Sequence, residues 1–594
     1  MKKLFKIALF ALVAIGVANC SSDESLSNNA EINGTIETGN YAVFQVGQIG
    51  SETRATSGGY DAGLESEFAV SKKAGANFVI FYDANKDFHS VAFLEAGELE
   101  DGKEAEKIFK VNIQRDNKDI KYCLLVLNGD QDLLATLRSN SMADAKSIID
   151  NTFMGWNAEG YFMMTNSVYT KEGEIQTEVE IDPSTHFCAT PEEAALNPIT
   201  VYVERVLAKF TINYADKPLE AGTIITPEKD EVTVYTGKSG EDFTFATGKK
   251  WQIEITGWGI NATETATYLF KNLGDMKFGN WSSDLSGTTL GWNDLTRRRS
   301  YWAVDPHYDT EDASLYPEQF RSVNENIVSG QPDANTFDKV RDNLPLNYFS
   351  YDEIVKNTAA QQYSVENTFA YSWLTNDNVY RVGTHFVVAA KLRIADSNGT
   401  YAANTVYNYN RAYWYEDAKE DLKEYMFKQV VARYMVEYGK LYTDATQTTE
   451  FDNIDASKLD LVAANVKNGD GRVKLAFTDN MKLYDDKGND ATEKFAAIVN
   501  EWGTARRFDG GSMYYAIPIE HLVTKGTTNY EVGSYGVVRN HWYKANIAAI
   551  NNPGIPVDKP GQPIIPNDDP DEDGYASFEI VIIPWHIVNW DIEL

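Results

Sequence analysis

The chain is predicted to be all-β with minor helices, on three observations. Tyr (34), Phe (28) and Trp (12) are abundant in its 594 residues, and aromatic side chains favour strands. Short apolar runs recur between turn residues along most of the length. Helical periodicity is sparse and confined to Ala145–Met154 and Asp421–Tyr438.

Taken in order, residues 1–20 read as an export signal. Lys2, Lys3 and Lys6 precede an apolar stretch, Ile7–Val17, too short to span a bilayer. It ends in Val17-Ala18-Asn19-Cys20, which resembles a bacterial lipobox with Cys20 as the lipidated residue, although Asn19 departs from the usual Gly or Ala. The polar, acidic run from Ser21 suits onward export to the outer membrane and cell surface. No later stretch approaches the ~20 apolar residues of a membrane helix. Residues 21–40 are Ser-, Asn- and Gly-rich. Tyr41, Val43 and Gln45 alternate with Ala42, Phe44 and Val46 as one short strand, and Gly50–Gly59 forms a polar loop with a single Arg, a natural proteolytic target.

Strands follow at Phe78–Tyr82 and Tyr122–Leu127, each stopped by an Asp/Asn/Gly turn. Val201–Ile212 is apolar at nearly every second position, running through Arg205 and Lys209. Asn468-Gly469-Asp470-Gly471 predicts a hairpin between Leu461–Val466 and Val473–Phe477. In the second helix, Leu422, Met426, Val430 and Tyr434 lie beside Phe427, Val431 and Met435, a stripe that reads as core packing. Six prolines between Asn551 and Pro570 predict an extended linker, with an acidic end at Asp569–Asp573. Residues 576–594 then give two apolar strands broken at Pro584. Such strands cannot remain solvated with unpaired backbone, so they must pair with their own domain or with a neighbouring molecule.

The chemistry classes thin quickly. With 54 basic against 87 acidic side chains the net charge is −33, so no basic surplus exists for phosphate backbones, and a nucleic-acid partner is not expected. Three Cys exclude a disulfide scaffold and a four-Cys zinc site; Cys123 and Cys188 are left once Cys20 is assigned. Phosphate-loop, nucleophile-elbow and HExxH patterns are absent. The Asp569–Gly574 run imitates a calcium loop, but Ile580 stands where its bidentate Glu belongs. Neither an enzyme, a cofactor nor a metal is expected.

Several segments together resemble the fimbrillins of the Bacteroidales, most closely the shaft subunit of minor fimbriae. The tail carries most of the likeness: Val581-Ile582-Ile583-Pro584-Trp585, then Asn589-Trp590-Asp591-Ile592-Glu593-Leu594. Met513-Tyr514-Tyr515-Ala516, Val538-Arg539-Asn540-His541-Trp542-Tyr543, Glu204–Phe210 and Thr384–Leu392 are similar to further strands of that family, while residues 215–360 hold no comparable motif. The resemblance implies two transthyretin-like β-sandwich domains, 55–212 and 213–550, the second with insertions. Around them it implies a signal peptide (1–20), a propeptide with a removable strand (21–54), a linker (551–575) and C-terminal donor strands (576–594). It further implies that an Arg-specific surface protease cuts at Arg54-Ala55 and removes the strand bearing Tyr41, Val43, Phe44 and Val46. The next subunit then inserts its tail, with Phe578, Ile580, Ile582, Trp585, Ile587 and Trp590 as plugs. The expected partners are copies of the chain, fimbrial anchor and tip subunits, that protease, and host or bacterial receptors in adhesion and biofilm formation.

A glycan-binding surface lipoprotein and a fimbrial tip or anchor accessory subunit are the competing readings. The first suits the signal and the aromatics, but its commonest form is built from helical repeats, and none occurs here. A tip subunit should lack a donor tail, and an anchor should keep its N-terminal strand. Without residues 1–54 the chain still carries −32, so the acidity belongs to the exported body.

Overall fold

The computed structural model describes residues 41–48, 70–94, 100–101, 106–113, 117–138, 140–150, 161–167, 169–171, 174–272, 303, 305–306, 346–368, 383–464, 471–479, 481–519, 535–557, 559–564, 576–583 and 588–589. Strands dominate them and helices are few, as the aromatic, turn-punctuated sequence predicts. Six strands position the site: β1 (Tyr41–Gln48), β2 (Glu106–Asn112), β3 (Ile199–Arg205), β4 (Ala208–Tyr214), β5 (Trp542–Ile550) and β6 (Ala576–Ile583).

The N-terminal sheet runs in the order Phe88–Phe93, Phe78–Asp83, Ile120–Leu127, Met164–Asn166, β3, β1, β2. Its two halves share one core: Val79, Phe81, Cys123 and Leu125 from one, Ala42, Phe44, Phe109, Val111 and Val201 from the other. Phe78, Ile80 and Tyr82 point to the opposite face, where they meet Leu133, Leu134 and Leu137 of a short helix. Covering on both faces is why Phe78–Tyr82 is an unbroken apolar run instead of an alternating one.

β4, β5 and β6 lie side by side in a second sheet. It packs Phe210, Ile212, Tyr543, Ala545 and Ile547 against Ile253, Ile255, Phe386, Val388, Met513 and Tyr515 of a third. That third sheet continues through Asp242–Asn261, His385–Ala395 and Ser512–Pro518, and at its far end through the predicted hairpin, Leu459–Ala463 with Arg472–Phe477. The Lys419–Tyr438 helix covers this end with Leu422, Met426, Phe427, Val430, Val431 and Tyr434 buried, so its stripe is core. The largest aromatics, Trp251 and Trp414, are also fully buried.

Three expectations are corrected. The helix expected over 145–154 is Met142–Lys146: Ser141 caps its start, Ser147 closes its end, and Ile149–Asp150 is already a strand paired with Thr267–Tyr268. The branched pair Ile148-Ile149 prefers that extended backbone. The Val201–Ile212 alternation is two strands, β3 and β4, in different sheets, because the chain crosses at Val206-Leu207. The proline-rich stretch is extended, but its residues 551–564 are docked on the body. Ile555–Pro556 pairs with Met513–Tyr514, Val557 and Ile564 are buried beside Tyr351 and Val387, and Ile564 N–H donates to Phe349 O at 2.9 Å. Gly554 permits this approach, since a Cβ there would lie 2.4 Å from Tyr514 O. Residues 565–575 lie outside the described residues.

Candidate assembly site

β1 lies between two partners. It runs parallel to β3, from Phe44↔Ile199 to Gln48↔Val203, and antiparallel to β2, from Tyr41↔Asn112 to Gly47↔Glu106. Ala42, Val43 and Phe44 are buried, and the Phe44 and Phe81 rings sit 6.1 Å apart. Tyr41 is half-buried and is clamped through its backbone to Cys188, with N···O distances of 2.8 and 3.0 Å. Both neighbours of β1 therefore turn a full ladder of amides and carbonyls toward it. Without it, an apolar slot one strand wide would be left, walled by Phe109, Val111, Ile199 and Val201. Val46 stands opposite Lys107 and Val201 in the same ladders.

β6 takes one of the two kinds of partner that the sequence leaves open. In this structure it lies antiparallel on β5 of its own chain, from Trp542↔Ile583 to Ile550↔Ala576, with a bulge between Ile547 and Ala549. Val588–Asn589 folds back on its outer edge. Phe578, Ile580 and Ile582 occupy alternate positions of β6, opposite Ile547, Ala545 and Tyr543. Trp585, Ile587, Trp590, Cys20, Arg54 and Ala55 lie outside the described residues. Cys123 is buried, Cys188 is half-buried, and both are free thiols.

Between these two places lies a cluster whose role sequence reasoning missed. Glu204 and Arg205 end β3; Arg539 and Asn540 lead into β5; all four are buried. Arg539 grips Glu366 through Nε at 2.9 Å and Nη2 at 2.5 Å, and donates to Thr267 Oγ1 at 2.9 Å, Tyr268 O at 2.6 Å and Leu269 O at 3.2 Å. Lys271 Nζ lies 3.2 Å from Glu204 Oε2. Burial pushes the Glu204 carboxyl up, against the pull of Lys271 and Arg539. Arg205 donates to Asn540 Oδ1 from its backbone N–H at 3.3 Å and from Nη1 at 3.1 Å. Asn540 takes φ +60, a left-handed conformation that Asn tolerates better than most residues. Its own N–H donates to Leu207 O at 2.9 Å, and Lys209 N–H donates to His541 O at 2.8 Å. The signal for this cluster was present: Glu204, Arg205 and Lys209 carry charge within strands whose neighbours are apolar. Their partners in the cluster lie from 67 to 335 positions away, so the strand pattern alone could not pair them.

Residues 506–591, which include β5 and β6, match the family model described as "Major fimbrial subunit protein type IV, Fimbrillin, C-terminal". Over that C-terminal region the chain is similar to the fimbrillins, the major fimbrial subunit proteins that the model describes. Three solved structures each align with 93% of this chain. A candidate cell adhesion protein of Parabacteroides distasonis has 11% identity over 100% of its length, with a TM-score of 0.32. Another from Bacteroides eggerthii has 10% identity over 98%, at 0.27. The C-terminally truncated tip fimbrial protein Mfa3 of Porphyromonas gingivalis has 9% identity over 100%, at 0.28. Superpositions this loose carry no argument, so the assignment rests on the C-terminal match. A comparison with curated protein sequences gave no match.

Proposed function

We propose that the chain is a structural, non-enzymatic shaft subunit that polymerises by protease-triggered donor-strand exchange. The observation that carries this reading is the setting of β1, a strand with buried residues paired on both edges, a few residues upstream of Arg54. Cleavage at Arg54-Ala55 would let it leave, and its eight residues have a replacement of equal length in the eight residues of β6. Exchange trades the β5 ladder for a two-sided ladder in a neighbour's slot, so backbone hydrogen bonding is conserved while apolar alternation is satisfied. Donor and acceptor surfaces differ, so the contact does not close and repeats into a filament.

Export would run through lipidation at Cys20 to the outer membrane, and the filament would join anchor and tip subunits and meet surface receptors. Deleting 576–594 should leave folded monomers that do not assemble; filaments of normal length from that variant under the electron microscope would refute the reading. Arg54→Ala should block processing, and a ladder of assembled product on a mild gel would contradict this. The N-terminal residue of the mature surface protein is a direct check, Ala55 for the exchange scheme and Cys20 for a permanently anchored protein.

A further inference from the structure

We propose that the buried junction of Glu204-Arg205 with Arg539-Asn540 is a latch that makes release of the tail depend on departure of β1. This rests on the exchange reading above and concerns its regulation: a subunit frees its donor strand only once its own slot has opened.

The argument is one of adjacency without a gap. The last register partner of β1 on β3 is Val203, and the next two residues are Glu204 and Arg205. Arg205 holds the amide oxygen of Asn540 with two donors, and Asn540 N–H returns to Leu207 O in the crossover. Two residues later Trp542 pairs with Ile583, the end of β6. Trp542 is itself fixed from β4, with Lys209 Nζ 4.2 Å from its ring centroid and its Nε1 donating to Thr211 Oγ1 at 2.9 Å.

The two strands whose pairing must change are thus the outer members of one contiguous set: β1, β3, the Arg205–Asn540 contact, β5, β6. The ladder of β3 over Ile199–Val203 is made with β1, and the ladder with Met164–Asn166 covers Val203–Arg205, so the two overlap at Val203. Losing β1 frees one edge of β3 as far as Val203, two residues before Arg205, and leaves the pairing with Met164–Asn166 as the ladder that carries Arg205. A buried guanidinium does not tolerate gradual loss of an acceptor, because each donor left without a hydrogen bond in a dry site is costly. The contact is therefore made or broken as a unit, which gives the junction the discrete arrangements that coupling requires. With β1 seated, Asn540 is held at φ +60 and β5 presents a fixed edge to β6; with β1 gone, that hold weakens.

The test is hydrogen exchange of the β6 amides, 576–583, in the full-length chain at monomeric concentration. Phe44→Asp places a charge in the β1 core and opens the slot without cutting the chain. It should speed exchange of β6 at least tenfold, while His385–Ala395 amides remain protected and report an intact fold. Arg205→Met should produce a comparable increase by itself, and the double variant should exceed either single change by less than twofold, the non-additivity of a shared path. If Arg205→Met also loses protection at 385–395, Asn540→Gly replaces it, since Gly keeps the φ +60 turn without strain and removes only the acceptor.

Exchange at β6 within twofold of wild type in the Phe44→Asp variant overturns the latch, as does a double variant equal to the product of the singles. Microscopy of protease-cut wild-type chain separates this from the exchange reading. Filaments with an unresponsive tail sink the latch alone, and a responsive tail with no filaments sinks the shaft assignment alone.

Discussion

Phe44→Ala measures how firmly β1 is held. The ring is fully buried, faces Phe81 at 6.1 Å, and stands opposite Phe109 and Ile199 in its two ladders. Truncating a buried Phe costs about 3–5 kcal/mol, from lost transfer free energy plus the cavity left behind. Roughly 0.5–1.5 kcal/mol of that is the ring pair. Ala42 is too small to collapse into the space, and Val43 points to the other face of the strand, so the upper half of the range applies. Converted at about 1.4 kcal/mol per decade, amides of β1 and its partners on β2 and β3 should exchange roughly 10³-fold faster. Hydrogen exchange resolved by segment is the assay, because several cores make a single global transition a poor description. An acceleration below tenfold would mean that β1 is not seated as described, and the slot argument would fail with it. Phe245→Ala is the control: that ring is 37% exposed, and its loss should leave the same amides within about threefold of wild type.

Arg539→Met should lower stability by about 3–5 kcal/mol in urea titrations, because it strands the Glu366 carboxylate in a dry site, and adding Glu366→Leu should recover part of the loss. His385 gives a pH dependence. Burial holds its imidazole down at about 4, with Nδ1 donating to Gly383 O at 2.9 Å and Nε2 accepting from Asn261 at 3.3 Å. Since this value lies below that of the unfolded chain, its contribution is whole above about pH 6.5 and is lost as pH falls toward 4. A His385→Gln variant should show a flatter stability profile across that window, and an unchanged slope would contradict the assignment. Gly554→Ala should prise residues 551–557 from Tyr514 and make them a new site of limited proteolysis; an unchanged digest would show that the docking tolerates a Cβ.

Local patterning carried a large part of this protein. The strands at 78–83 and 120–127, the hairpin ending at Phe477, the helix to Tyr438 and β1 itself all follow from periodicities of 2 or 3.6 that the chain must obey to bury one face or both. The net charge argued against a nucleic-acid partner without reference to any fold. The 506–591 region carried the likeness to the fimbrillin C-terminal region in its residues alone.

Tertiary structure decided everything that depends on who lies beside whom. The apolar alternation from Val201 to Ile212 is the same whether one strand or two result; the split came from the crossover at Val206-Leu207 into another sheet. Prolines dictated extension at 551–564, but whether an extended segment floats or docks depends on a surface assembled from distant parts of the chain, and Val557 and Ile564 found one beside Tyr351, Val387 and Tyr514. Arg205 and Asn540 are separated by 335 positions, and no periodicity links residues so distant. Pairing across such a span is fixed only when sheets stack and leave two polar groups in a dry space with each other as partner.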